Sequence, residues 1–266
     1  MIKNNTTKTF RFGSIKILKM KKIVYLLFVF FISNVFCAQS GQVDYAVKLD
    51  SLSFQNDGKF KERLQKIKEY ANNQKFKLSF NNNQSSFKYI ETLNSDPGFS
   101  ESENKIARSA MTTSSDFYYN KVENREIQQK SDGQLIEKKN SKVSWVIGTE
   151  SKKIDSYLCY KATYIESYIG RKSGKTEYRE VVAWFAPSLP YAFGPINFYG
   201  LPGLILELKY KNTTYLVTNI VLGGAKVFVD FPKGKTVTKE EYEKKIAQLQ
   251  KNSEPMPYEL IDEQIQ

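Results

Sequence analysis

Gly200-Leu201-Pro202-Gly203-Leu204-Ile205, preceded by Gly194-Pro195-Ile196-Asn197-Phe198-Tyr199 and followed by Leu206-Glu207-Leu208, is the stretch around which this chain is organised. Pro202-Gly203 has the composition of a type II turn, with φ preset near −65° at the proline and a positive φ expected at the glycine. Gly200 is a second position where unusual backbone or close approach is expected. After the turn, Leu204, Leu206, Leu208 and Tyr210 alternate with Ile205, Glu207 and Lys209, the pattern of a half-buried strand with an apolar start. The hexapeptide offers no side-chain donor, acceptor or charge. Its expected role is therefore shape: a preset corner that delivers Leu204 and Leu206 into the core. The competing expectation is a docking corner with Leu201 exposed as its anchor.

Working outward, Pro187 to Gly203 holds four of the eight prolines and three glycines, interleaved with Tyr191, Phe193, Phe198 and Tyr199. Proline cannot donate to a ladder, so this stretch reads as a fixed crossing between strands. Trp184, Phe185, Tyr191, Phe193, Phe198 and Tyr199 pack beneath the corner or line a groove for a sugar or extended peptide. Tyr191, Tyr199 and Arg179 are the candidates for facing such a ligand.

The hexapeptide, Cys159-Tyr160-Lys161-Ala162, the strand from Arg179 to Trp184-Phe185 and the corner Pro187-Ser188-Leu189-Pro190 together resemble the GLPGLI family, exported proteins of the Bacteroidetes. The resemblance runs from about Lys153 to Leu222, and Ser188-Leu189 depart from the acidic residue and Ile more common there. It marks Gly194, Pro195, Gly200 to Ile205, Trp184 and Cys159 as motif positions. That family has no agreed biochemical activity, so the resemblance implies an exported β protein and leaves the ligand open.

Residues 1–38 carry seven Lys/Arg and no Asp or Glu, with Met20-Lys21-Lys22 ahead of an apolar run from Ile23. This reads as a signal peptide at 20–38, with 1–19 as a start-site overrun. Cys37 fits a lipobox poorly, because Phe36 is bulky and Asn34 stands where Leu is expected. The expected destination is periplasmic, outer-membrane-associated or secreted. The chain's net charge of +12 falls to +5 once the seven leader cations are set aside, which removes the support for nucleic-acid binding. Residues 39–237 read as the β domain and 238–266 as a C-terminal helix with a loose tail, with no transmembrane helix in the mature part.

Alternation predicts strands over 42–53, 76–80, 86–92, 117–119, 121–129, 134–139, 144–149, 157–168, 177–185, 204–210 and 215–222. Helical spacing predicts helices near 58–71 and 238–250, the second opened by Thr238-Lys239-Glu240-Glu241. The Ser-rich stretch 94–113 reads as a loop. The expectation is a mainly β, antiparallel sheet curled into a sandwich or half-open barrel, with one or two peripheral helices.

Histidine is absent, which removes Ser-His-Asp, Cys-His and HExxH chemistry from this chain. Cys159 is the single cysteine after the leader and is expected to be buried and inert. No cofactor fingerprint and no metal-ligating set appear. Ser85-Ser86-Phe87-Lys88, Ser102-Glu103-Asn104 and Lys172-Ser173-Gly174 match the letters of a serine acyl-transfer triad. The first sits on a strand pattern where a helix is required, so the match is set aside. Glu166, Glu177, Glu180 and Glu207 on predicted strands leave paired-carboxylate hydrolysis as the enzymatic alternative. The leading expectation is a non-catalytic envelope or secreted binding protein, its partner an envelope protein, glycan or peptide. Asp50-Ser51-Leu52 resembles the Bacteroidetes O-glycosylation site, making Ser51 a candidate for modification.

Overall fold

Apolar alternation is realised most cleanly in the first strand, β1 (Gly41–Leu49), where Val43, Tyr45, Val47 and Leu49 are buried between exposed or half-buried neighbours. The computed structural model describes residues 40–250 except 51–57, 92–97, 140–141, 171–172 and 224–226. These residues belong to one unit, Ser40–Gln266, which chain contacts separate from Met1–Gln39. The leader and Ser51 lie outside the described residues.

The remaining strands are β2 (Lys75–Phe80), β3 (Gln84–Tyr89), β4 (Asp116–Asn120), β5 (Arg125–Gln129), β6 (Leu135–Lys139), β7 (Val146–Ile154), β8 (Tyr157–Ile169), β9 (Thr176–Ala186), β10 (Leu204–Tyr210), β11 (Thr213–Leu222) and β12 (Thr236–Thr238). They form a single open sheet in the order β12-β6-β5-β4-β3-β2-β1-β11-β10-β9-β8-β7. Every ladder is antiparallel except β12 on β6, so hairpins make most of the connections. Among the described residues three helices accompany them: α1 (Lys59–Asn72), α2 (Glu101–Met111) and α3 (Lys239–Gln250).

The sheet curls, and the crossing shows why. Tyr199 stacks on Tyr119 of β4 with ring centroids 3.8 Å apart, while its neighbour Phe198 meets Tyr164 of β8 at 6.5 Å and Tyr210 of β10 at 5.2 Å. Strands from the two halves of the sheet therefore share one plug, the Pro187–Gly203 crossing. That concave face also receives Leu64, Ile67 and Ala71 of α1 and Ala107 and Met111 of α2, in one continuous core. A smaller cluster of Tyr118, Ile127 and Leu135, packed by Val229 and Phe231, covers the opposite face near β4–β6.

Two sequence expectations fail for identifiable reasons. The stretch 94–113, read as a loop, contains α2. Ser100 caps that helix by accepting from the Glu103 amide at 3.4 Å, and Glu101 and Glu103 lie in the first turn. The predicted strand 121–129 begins only at Arg125. Asn120 Oδ1 accepts from the amides of Val122 and Glu123, and Asn124 takes φ 43°, which makes a turn of residues 121–124.

The start of α3 behaves as its sequence indicates. Thr238 Oγ1 accepts from the Glu241 amide at 3.2 Å, and Glu241 returns the bond from Thr238 N at 2.8 Å. The helix lies against β12 and β6.

Candidate functional site

The corner built by the central motif is consumed by the core. Leu201, Leu204, Ile205, Leu206 and Leu208 are all essentially without solvent contact. The ladder between β9 and β10 shifts register between Ile205 and Glu207, so the alternation breaks and Leu204, Ile205 and Leu206 are buried in succession. The crossing is pinned to the strand start by Leu204 N to Leu189 O at 2.9 Å, Ile205 N to Phe193 O at 3.1 Å and Gly200 N to Ala192 O at 3.0 Å.

The glycines exchange the roles that a type II turn predicts. Positive φ falls on Gly200, at 91°, and not on Gly203. Gly203 is required for space: a Cβ there would stand 2.3 Å from the Ala186 carbonyl oxygen and 2.6 Å from its carbon. Gly194 is similarly enclosed, since a Cβ there would stand 2.6 Å from Ile205 Cδ1. Pro195 opens a turn closed by Phe198 N to Pro195 O at 3.2 Å, and within it Ile196 takes φ 59°, a costly conformation for a β-branched residue.

Next to this turn lies a polar constellation that the sequence did not announce. Glu126 of β5 is buried on the concave face directly opposite Tyr119, and its carboxylate accepts from Tyr199 Oη and from Asn197 Nδ2 at 3.2 Å. Burial first, and then the Glu126 charge, push the Tyr119 phenol above its ordinary value. Trp145 Nε1 donates to the Tyr199 carbonyl at 2.9 Å. Tyr199 is thus held by ring, hydroxyl and backbone. Tyr191 is half-buried with its ring 4.8 Å from Phe80.

Arg179 lies on the concave side of β9, stacked 3.6 Å over Tyr168 and 3.2 Å from Glu166 Oε2. Trp184 is half-buried on the other side, beneath Lys152 at 4.3 Å, and Lys152 bonds both Glu207 oxygens at 2.8 Å. Glu177 accepts from Ser173 Oγ at 2.6 Å, and this bond, then one from Tyr168, lowers its pKa. Glu180 is exposed. Cys159 is fully buried and free, with its thiol pushed up by burial.

A roomier opening than the crevice at the crossing lies elsewhere, at the mouth between α1, α2 and β3. It is a cleft of about 530 Å³ whose walls include Lys66, Tyr70, Tyr89, Phe99, Gln74 and Asn104. The α1 spacing that buries Leu64, Ile67 and Ala71 turns Lys66, Glu69 and Tyr70 toward this mouth. Gln74 and Asn104 are buried at its floor, joined by Gln74 Nε2 to Asn104 Oδ1 at 3.0 Å, and Asn104 Nδ2 reaches Tyr89 Oη at 3.2 Å. Thr112 Oγ1 donates to Gln74 Oε1 at 2.6 Å. Arg108 lies 4.2 Å over the Tyr89 ring. Aromatic walls over fixed amides make a surface able to hold a polar ligand of modest size. No helix among the described residues is long and apolar enough to cross a membrane.

The molecule is thus a mainly β protein, one open curled sheet plugged by a proline-glycine crossing. Residues 170–207, which hold β9, the crossing and the start of β10, match a family model described as "Protein of unknown function (Porph_ging)". No curated protein matches the chain. Among solved structures the chain is similar to PNGF-II in its P21 crystal form, with 14% identity and a TM-score of 0.47 over 79% of this chain and 34% of that one. The C2 form of PNGF-II gives 15% identity and a TM-score of 0.45 over 79% and 33%. The chain spans about a third of the length of those proteins.

Proposed function

We propose that this chain is an exported, non-catalytic binding protein of the cell envelope, of the GLPGLI type, and that the cleft between α1, α2 and β3 receives its ligand. The observation that carries the reading is the cleft itself: about 530 Å³, lined by Tyr70, Tyr89 and Phe99 above the buried amides of Gln74 and Asn104. Amides and phenol edges suit hydroxyl-rich or peptide ligands, whose groups both donate and accept. The motif crossing is a support for the sheet in this reading, since its side chains are spent on the core. Glu166 and Glu207 hold Arg179 and Lys152, and a carboxylate held by a cation is a poor general acid. The N-terminal leader read from the sequence supports export, and the match at residues 170–207 supports the family assignment.

Glycan and peptide arrays probed with the exported part of the chain test the reading, followed by titration calorimetry on any hit. Phe99→Ala and Lys66→Glu should each weaken the captured ligand at least tenfold, and Tyr178→Ala should leave it unchanged. A hit that survives both cleft substitutions, or turnover of the ligand by the wild type, contradicts the proposal.

A further inference from the structure

The hydrogen bonds at the floor of the cleft run in one direction. Thr112 Oγ1 donates to Gln74 Oε1 at 2.6 Å, Gln74 Nε2 to Asn104 Oδ1 at 3.0 Å, and Asn104 Nδ2 to Tyr89 Oη at 3.2 Å. Gln74 and Asn104 are 2% and 4% exposed, so packing holds the chain in place. Each amide oxygen along it is met by the donor behind it. The last member, half-buried Tyr89, accepts from Asn104 and keeps its own O–H, which has no acceptor among the described residues. The relay therefore delivers a hydrogen-bond donor to the cleft.

The charges around that phenol favour an acceptor that is also negative. Arg108 lies 4.2 Å over the Tyr89 ring, and its Nε is buried with no hydrogen-bond partner among the described residues. A cation over the ring draws on its electrons and makes the phenol a stronger donor. Among the described lining residues, Lys66 and Lys75 outnumber one carboxylate, Glu69, which accepts from Gln65 Nε2 at 3.4 Å. The remaining wall is apolar. The Tyr70 hydroxyl is occupied, accepting from Ser100 N at 2.7 Å and donating to the Gly98 carbonyl at 3.3 Å. Tyr70 thus offers its ring, set edge-on to Phe99 with centroids 5.5 Å apart.

A carboxylate only accepts, whereas a sugar hydroxyl also brings a proton to place. The end of a peptide carries a carboxylate directly beside its last side chain. We propose that the cleft binds the C-terminal end of a peptide. Its free carboxylate accepts from Tyr89 Oη, Lys66 and Lys75 counter its charge, and an apolar last side chain lies against Tyr70 and Phe99. This inference rests on the cleft being the ligand site and narrows the ligand to one class.

An array of N-acetylated tripeptides with free C-terminal carboxylates, set beside the same array as C-terminal amides, tests it, with trigalacturonate as an acidic sugar. The expected hits are free acids ending in an apolar residue, bound at least about tenfold more tightly than their amides and weakened by salt. Tyr89→Phe should weaken a hit by about tenfold, and Lys75→Ala by a smaller factor, at an unchanged urea midpoint. Equal binding of acids and amides, full affinity in Tyr89→Phe, or no hit on either array overturns the proposal. So does retention of trigalacturonate without any free-acid peptide, which would make the cleft a sugar site. A neutral glycan that depends on Phe99 overturns this inference and spares the cleft reading. A free-acid peptide still bound by both Phe99→Ala and Lys66→Glu overturns the two together.

Discussion

The phenol of Tyr45 on β1 donates to the carbonyl of Ile205 at 2.6 Å, joining residues 160 positions apart in the sequence. The bond lies at the register shift of β10, where the ladder to β9 skips a residue and leaves that carbonyl to find another donor. Tyr45 is completely buried, and desolvation holds its hydroxyl protonated far above the ordinary tyrosine range. Tyr45→Phe should therefore destabilise the fold by about 1–3 kcal/mol, since it strands a buried acceptor without opening a cavity. A urea denaturation midpoint equal to that of the wild type would show that the bond contributes nothing.

Glu126 gives a second test of the crossing's attachment. Tyr199→Phe keeps the stack on Tyr119 and removes one donor from a buried carboxylate. The expected cost is about 1.5–3 kcal/mol in chemical denaturation, the range for hydrogen bonds to charged groups. A cost below about 0.5 kcal/mol would mean that the carboxylate is satisfied without Tyr199.

Ile196 offers a reversal of sign. In most settings glycine is less stable than alanine by about 0.5–1 kcal/mol. At φ 59° an alanine retains the clash between Cβ and backbone that glycine escapes, worth about 1–2 kcal/mol. Ile196→Gly should accordingly be more stable than Ile196→Ala, although both lose the buried isoleucine side chain. The opposite order in thermal denaturation would remove strain from the account of this turn.

The acid limb of stability should report Glu137. On β6 it receives Arg125 Nε at 2.9 Å and Thr236 Oγ1 at 2.7 Å, which ties β5 and the edge strand β12 to β6. The Arg125 bond, then the Thr236 bond, lowers its pKa from 4.5 to about 2. A depressed carboxylate contributes fully above its unfolded value and loses that contribution as pH falls toward its folded one. Stability should thus fall between pH 4.5 and about 2. Glu137→Gln should flatten that part of the urea midpoint-against-pH profile. An unchanged slope in the variant would assign the acid limb to other carboxylates.

The parts of this fold governed by local pattern were legible in the sequence. Alternation placed β1, β2, β8 and β10, and the spacing of Leu64, Ile67 and Ala71 placed α1. The helix α2 was missed because Ser102, Asn104 and Ser109 dilute its apolar stripe. The usable signal was Ser100-Glu101-Ser102-Glu103, a capping-box spelling that the serine-rich composition obscured. Pro202-Gly203 was legible as a corner but not as this corner, since the need for glycine at 203 arises from Ala186, a residue on another strand. Glu126 with Tyr199, and the cleft floored by Gln74 and Asn104, join residues 73 and 30 positions apart, and no local pattern encodes such convergence.

The central claim is that the motif serves the core by shape, and Gly203→Ala tests it most directly. A methyl group placed 2.3 Å from the Ala186 oxygen must force β9 and β10 apart. Urea denaturation of this variant should show a loss of about 1–3 kcal/mol or more, beside about 2–5 kcal/mol for Leu204→Ala. Wild-type midpoints for both variants, together with loss of an interaction made by the intact protein, would contradict the claim and make the motif a docking surface.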